Sequence, residues 1–227
     1  MKRKERLLML FFMSLLMTQL HAQDWPNFNA FKAANAALPP LEEAQQRVVF
    51  MGNSITIGWL DSHPEFFENK PYVNRGISGQ TTPQMLVRFR TDVLAIDAAA
   101  VVILAGTNDI AGNTGPSTLE MILDNIKSMT EIAQANDVKV ILCSVLPAYD
   151  YPWRPGMDPH IKIPKLNAMI KDYAEKNNVF YLDYFSALED GNNGLIPSYT
   201  DDGVHLTRAG YEVMEPLLEN ALKVVLP

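Results

Sequence analysis

Two short, nearly uninterrupted apolar runs restrict the architecture of this chain more than any other feature. Residues 99–105 read Ala-Ala-Val-Val-Ile-Leu-Ala, and residues 138–146 read Val-Lys-Val-Ile-Leu-Cys-Ser-Val-Leu. A strand with one wet face alternates apolar and polar side chains. A run this short without alternation is what a strand needs when both faces are covered, as in the middle of a parallel sheet. Three further β-rich runs occupy residues 48–52, 72–74 and 179–184. Helical patterns lie between them. In residues 117–136, Leu119, Ile122, Leu123, Ile126 and Met129 recur at three- and four-residue steps. Residues 82–96, 164–177 and 208–225 carry further helical patterns, and residues 23–46 form a leader, partly helical over 28–37 and broken by Pro39-Pro40. Alternation of strand and helix predicts an α/β fold with a doubly wound sheet. In such sheets ligands lie at the carboxyl ends of the strands, so the loops that follow the strands are where chemistry is expected.

With 227 residues and 48% hydrophobic side chains, the chain can bury one full core, and two domains would be cramped. Its net charge of -7 argues against nucleic acid or an anionic membrane as the main partner. The amino terminus reads as an address. Lys2, Arg3, Lys4 and Arg6 precede a nearly apolar stretch over 7–16, and Leu20-His21-Ala22 offers small-residue cleavage chemistry before Gln23. That pattern predicts a signal peptide over residues 1–22, a single domain over 23–227, and a secreted or periplasmic protein. The apolar stretch is short for a membrane span, and no Cys stands near it to carry a lipid, so no stable membrane anchor is expected. Cleavage removes four basic side chains and Glu5, taking the charge from -7 to -10. The one cysteine, Cys143, lies inside an apolar run and reads as a small buried hydrophobe; a cysteine nucleophile is the alternative.

Four blocks follow the strands or close the chain: Gly52-Asn53-Ser54, Asn74-Arg75-Gly76-Ile77-Ser78-Gly79, Gly106-Thr107-Asn108-Asp109, and Asp201-Asp202-Gly203-Val204-His205. Singly, each suits a turn, a helix cap or a surface loop. Together they supply what acyl transfer requires. A serine hydroxyl needs a base to take its proton, and His205 suits Ser54. The imidazole needs a carboxylate to fix its tautomer, and Asp202 stands three residues away. The tetrahedral oxyanion needs donors, which the main-chain N–H groups of Ser54 and Gly79 and the side-chain amide of Asn108 would provide.

The four blocks resemble those of the SGNH hydrolases, also called GDSL-like lipases and esterases, over most of the chain from residue 48 onward. In that family Ser, Gly, Asn and His stand in four separate blocks with an Asp three residues before the His. Ser54, Gly79, Asn108, His205 and Asp202 match in this order. One departure is Asn53, where the family has Asp at a position outside the triad. The resemblance implies a flavodoxin-like three-layer α/β/α sandwich around a five-stranded parallel sheet. It also implies hydrolysis of an acyl ester through an acyl-Ser54 intermediate, without a cofactor.

The expected substrate is a small-molecule or glycan ester with a short acyl group such as acetyl. Lipid or lysophospholipid esters, thioesters, acyl transfer on the same triad, and a non-catalytic carbohydrate-binding module are the alternatives. The run from Pro147 to Pro155 carries Tyr149, Tyr151 and Trp153 at the end of a central strand. Their flat faces suit a sugar ring, and a self-packed loop is the competing reading. No pair among His21, His63, His160 and His205 has metal-ligand spacing, and no glycine fingerprint for a nucleotide is present. Asp109 and Asp201 are expected to cap or to face solvent. Arg75 and Arg88 are expected to pair structurally rather than to meet substrate.

Overall fold

The computed structural model describes residues 24–226. The expected signal peptide therefore lies outside the described residues. In chain order the elements are α1 (Lys32–Ala36), β1 (Arg47–Gly52), α2 (Ser54–Ser62), β2 (Tyr72–Gly76), α3 (Thr82–Asp92), β3 (Ala98–Leu104), α4 (Thr107–Ile110), α5 (Leu119–Gln134), β4 (Lys139–Cys143), α6 (Pro159–Lys176), β5 (Phe180–Leu182), α7 (Phe185–Leu188) and α8 (Arg208–Val225). The five strands form one parallel sheet in the order β2-β1-β3-β4-β5.

The pleat divides each strand between two cores. Val49, Met51, Val101, Ile103, Val140 and Leu142 face one side, where Met85 and Phe89 of α3, Ile122 and Ile126 of α5 and Leu166 and Ile170 of α6 meet them. Val48, Phe50, Val102, Leu104, Ile141 and Cys143 face the other, against Ile55 and Trp59 of α2 and Met214 and Leu218 of α8. With both faces covered, β1 is buried throughout, which is why its sequence is apolar without alternation. Phe50 anchors the second core, edge-on to Trp59 and Phe67. Truncating so buried an aromatic costs about 3–5 kcal/mol. The result is the three-layer α/β/α sandwich that the resemblance implies.

The strand order reverses direction between β1 and β3, whose last residues Gly52 and Leu104 are paired in register. A crevice opens outside the carboxyl ends of the strands at such a point. Ser54 follows the first strand and Asn108 the second.

Several boundaries differ from the sequence reading. β4 ends at Cys143 although the apolar run continues to Leu146. The Asn167 side chain takes both the N–H and the carbonyl of Val145, at 2.8 and 2.9 Å, and lifts the chain out of the ladder. The pattern over 82–96 is α3 plus a 3₁₀ turn, Leu94–Ile96, stopped by Asp97 in a left-handed conformation. α6 begins at Pro159, ahead of the expected start, and keeps Pro164 inside it. In the leader, turns precede the short α1. Among the described residues no helix is long and apolar enough to cross a membrane, and no metal-binding cluster of His, Cys, Asp and Glu occurs.

Candidate active site

The turn after β1 is built to present Ser54. Asn53 is the N-cap of α2, and its side chain accepts from the Ile55 N–H at 3.0 Å. Ser54 is thereby the first residue of a helix, with its hydroxyl outside the helical hydrogen-bond ladder. The neighbouring strand end crosses this turn at close range. A Cβ on Gly76 would lie 2.3 Å from the Ile57 nitrogen and 2.8 Å from the Asn53 carbonyl oxygen, so only glycine fits there.

His205 reaches Ser54 from the loop before α8. Its Nε2 lies 3.0 Å from Ser54 Oγ, and its Nδ1 lies 2.6 Å from Asp202 Oδ2. The other carboxylate oxygen, Oδ1, accepts from the main-chain N–H groups of His205 and Val204 at 2.7 and 2.9 Å. Burial alone would raise the Asp202 pKa. The bonds from the His205 ring and from the two N–H groups outweigh it and hold the carboxyl below its ordinary range. An ionised Asp202 fixes the proton of a neutral imidazole on Nδ1 and leaves Nε2 free to accept from the serine. Thr200 ties the loop, donating to the His205 carbonyl at 2.7 Å and accepting from the Gly203 N–H at 2.9 Å. The His205 and Asp202 side chains are each 42% exposed, so the pair is open to solvent.

Gly79 sits in a left-handed conformation, φ +76°, on the exposed loop before α3. Neither its N–H nor that of Ser54 has a hydrogen-bond partner among the described residues. Asn108 is buried on α4, and one of its amide protons goes to the Gln80 carbonyl at 3.0 Å. The second proton finds no acceptor among the described residues. Asn113 donates to the Gly79 carbonyl at 3.1 Å, so two consecutive carbonyls of this loop are gripped by amides from the segment after β3. Asn113 and Thr200 were not singled out from the sequence. Their only local signal is an amide or hydroxyl at a turn, which is too common to stand out.

Asp109 does cap, but caps α3 rather than its own helix. It accepts from the Thr82 N–H at 3.0 Å and from the Thr82 hydroxyl at 2.6 Å. It is buried, not solvated, and burial raises its pKa to about 6 against the opposing bonds from Thr82. Asp201 is exposed. Arg88 is wholly buried and pairs with Asp92 at 2.9 Å. Arg75 bonds to Asn35 instead of an acid. Cys143 is buried in the second core, and burial pushes its thiol up, so it remains protonated and inert.

The three aromatics after β4 part company. Tyr151 is fully buried with its phenol 2.8 Å from the Thr107 hydroxyl, which removes it from the residues able to touch a ligand. It underlies Trp153, stacked at 5.1 Å. Trp153 is 45% exposed and its ring lies beside His205. Tyr149 is exposed and stacks on His160. Tyr149, Asp150, Asp190 and Asp202 border an open cleft of about 340 Å³ next to the triad loop. A larger groove of about 600 Å³, near Asp137, Asn178 and Val225, lies at the amino ends of β4 and β5. That end of the sheet is opposite to Ser54, whereas the smaller cleft adjoins the loop that carries Asp202.

The model of the GDSL-like lipase/acylhydrolase family matches residues 50–213. A Bacteroides fragilis protein described as an acylhydrolase is 47% identical with a TM-score of 0.87, the match covering 90% of this chain and all of that one. A Bacteroides thetaiotaomicron protein described as a GDSL-like lipase is 46% identical with a TM-score of 0.86, covering 89% of this chain and all of its own. An acetylxylan esterase from Geobacillus stearothermophilus, solved as a catalytic mutant, is 20% identical with a TM-score of 0.62 over 80% of this chain and 94% of its own, a likeness of fold. No curated protein sequence matches the chain.

Proposed function

This chain belongs to the GDSL-like lipase/acylhydrolase family of ester-hydrolysing serine hydrolases, and on that footing we propose that it removes short acyl groups, acetyl foremost, from carbohydrate esters through an acyl-Ser54 intermediate. The observation that carries the mechanism is the unbroken line from Ser54 Oγ through His205 to Asp202, 3.0 and 2.6 Å.

His205 Nε2 takes the Ser54 proton as Oγ bonds to the ester carbonyl carbon. The resulting oxyanion is met by the Ser54 and Gly79 N–H groups and by the free amide proton of Asn108. Collapse breaks the bond to the alcohol oxygen, which leaves with the proton from His205. Water repeats the sequence on the acyl-serine and releases the acid. The exposure of His205 gives water access to the acyl-enzyme, and membership of the acylhydrolase family supports hydrolysis over acyl transfer.

A carbohydrate alcohol is supported by the half-exposed Trp153 beside the base and by Tyr149 at the cleft. The cleft's border of Asp150 and Asp190 offers acceptors to hydroxyl groups and repels nothing in a neutral sugar; an alkyl tail gains little there. The acetylxylan esterase of the same fold acts on such a substrate class. Residues 1–22 would direct export, so that the enzyme meets glycans outside the cytoplasm.

The test combines a fluorophosphonate probe with a panel of esters. Wild type should take the label on Ser54 and release acetate from acetylated xylooligosaccharides faster than it cleaves long-chain esters. Ser54→Ala should lose the label and on the order of 10⁶ in turnover. A Ser54→Ala protein with near-normal activity would overturn the mechanism, and a preference for long acyl chains would overturn the substrate class.

A further inference from the structure

The matched family region begins at residue 50, yet the segment before β1 lies against the oxyanion side of the site. Asp24 closes a turn by accepting from the N–H groups of Phe28 and Asn29. That turn aims two carbonyls at the Gly79 loop and α3. The Gln80 side chain donates to the Pro26 carbonyl at 2.8 Å, and the Gln84 side chain donates to the Trp25 carbonyl at 2.8 Å. Gln84 in turn accepts from the Thr81 N–H, completing the cap of α3. Further along, Asn35 accepts from the Arg75 guanidinium at 2.6 and 2.9 Å and donates to Asp92 at 2.9 Å. The Phe31 ring covers both guanidiniums, 4.7 Å from Arg75 and 5.8 Å from Arg88.

Beneath this cover, Arg88 joins the two halves of the site. Its Nε donates to the Gln80 side-chain oxygen at 2.7 Å. Its Nη2 donates to the Arg75 carbonyl at 2.8 Å and leans on the Gly52 carbonyl at 3.3 Å. Gly52 is two residues from Ser54, and Gln80 follows Gly79 and presents its own carbonyl to Asn108. Arg88 and Gln80 are buried, so each of these groups has only the protein to satisfy it, and loosening one bond leaves a buried donor or acceptor unmet.

We propose that residues 24–37 act as a strap in which Phe31 and Asn35 are positioning residues: through Arg88 and Gln80 they set the Gly79 N–H and the Asn108 amide at the spacing from Ser54 that the oxyanion requires. The inference rests on the hydrolase reading given above. Phe31 and Asn35 act through Arg75, Arg88 and Gln80, so the strap would govern transition-state stabilisation and leave ground-state binding alone. Donors displaced by a fraction of an ångström lose most of their value when they act by preorganisation.

The test uses the full chain with Phe31→Ala, Asn35→Ala and the conservative Phe31→Tyr, assayed on a small acetate ester well below the unfolding transition. Expected are kcat values lower by about tenfold or more in the two alanine variants, with KM within about twofold of wild type. Phosphonylation of Ser54 by the probe should slow in parallel, because it develops charge on the same oxygen site. Phe31→Tyr keeps the ring over the guanidiniums and should restore kcat. Alanine variants with wild-type kcat overturn the proposal, even if they melt earlier. A raised KM at constant kcat also overturns it, since the strap would then be a binding surface. A wild type inert to probe and esters would overturn the hydrolase reading and this inference with it, an outcome distinct from an active wild type matched by its variants.

Discussion

The indole of Trp153 lies 6.1 Å, centroid to centroid, from the imidazole of His205, with the two rings inclined by 35°. Its back is stacked on the buried Tyr151, so the loop that carries it is held from below while its upper part stays open to solvent. On the proposed mechanism, an aromatic so placed would flank the leaving alcohol.

Trp153→Ala should therefore lose about 1–3 kcal/mol of kcat/KM on acetylated saccharides. The loss on a small activated acetate, whose alcohol does not extend to the loop, should be much smaller. Equal losses on both substrates together with a lower Tm would make Trp153 a packing residue.

Asn108→Ala should lower kcat by roughly 10²–10³-fold, as expected for one oxyanion donor. The Gln80 carbonyl also loses its amide partner, so some of the cost is positional. Steady-state kinetics separate the possibilities: a rise in KM at constant kcat would assign Asn108 to ground-state binding.

Asn53→Asp should be tolerated. The Asn53 side chain serves α2 as an acceptor for the Ile55 N–H, a task that a carboxylate also performs and that the helix N-terminus favours. The rate should change by less than about tenfold, under ~1.4 kcal/mol. Asn53→Ala has no acceptor and should cost about 0.5–2 kcal/mol of stability. Inactivity of a folded Asn53→Asp enzyme would give the amide a role beyond capping.

Asp109 should leave its mark on the pH dependence of stability. Its carboxyl titrates near 4 when unfolded and at about 6 when folded, because burial disfavours the charge. Between those values the folded state holds a proton that the unfolded state has released. The stability from this group is thus full at low pH and is lost as pH rises through about 6, by ~3 kcal/mol at most. Subtracting the Tm–pH curve of Asp109→Asn from that of wild type isolates the effect, since the variant cannot ionise. A flat difference from pH 4 to 7 would reject it.

The parts of this molecule that were legible in its sequence are those whose cause is local. Ala100 to Ile103 are apolar because both faces of β3 are covered, and that need is written in consecutive residues. Asp202 and His205 share one short loop, so their bond follows from spacing. The illegible parts depend on residues far apart in the chain. The end of β4 is marked by Asn167, the buried phenol of Tyr151 is met by Thr107, and the environment of Arg88 is set by a leader that its own sequence does not tie to anything. Tyr151 and Trp153 are both aromatic members of one loop, and only the packed structure separates the support from the exposed face.

The strand order also imposes a timetable. Val48 pairs with Tyr72 on one side and with Ala100 on the other, so β1 has both neighbours only after β3 has been made. A ribosome or an export channel releases the amino end first. Until Leu104 is free, the Val-Val-Phe-Met of β1 is an apolar segment with an open edge, the kind that joins its counterpart on another chain. Parallel pairing across long crossovers is slow, which lengthens that interval. During synthesis, the strand that leads into Ser54 thus waits for β3 before the fold itself can close its second edge.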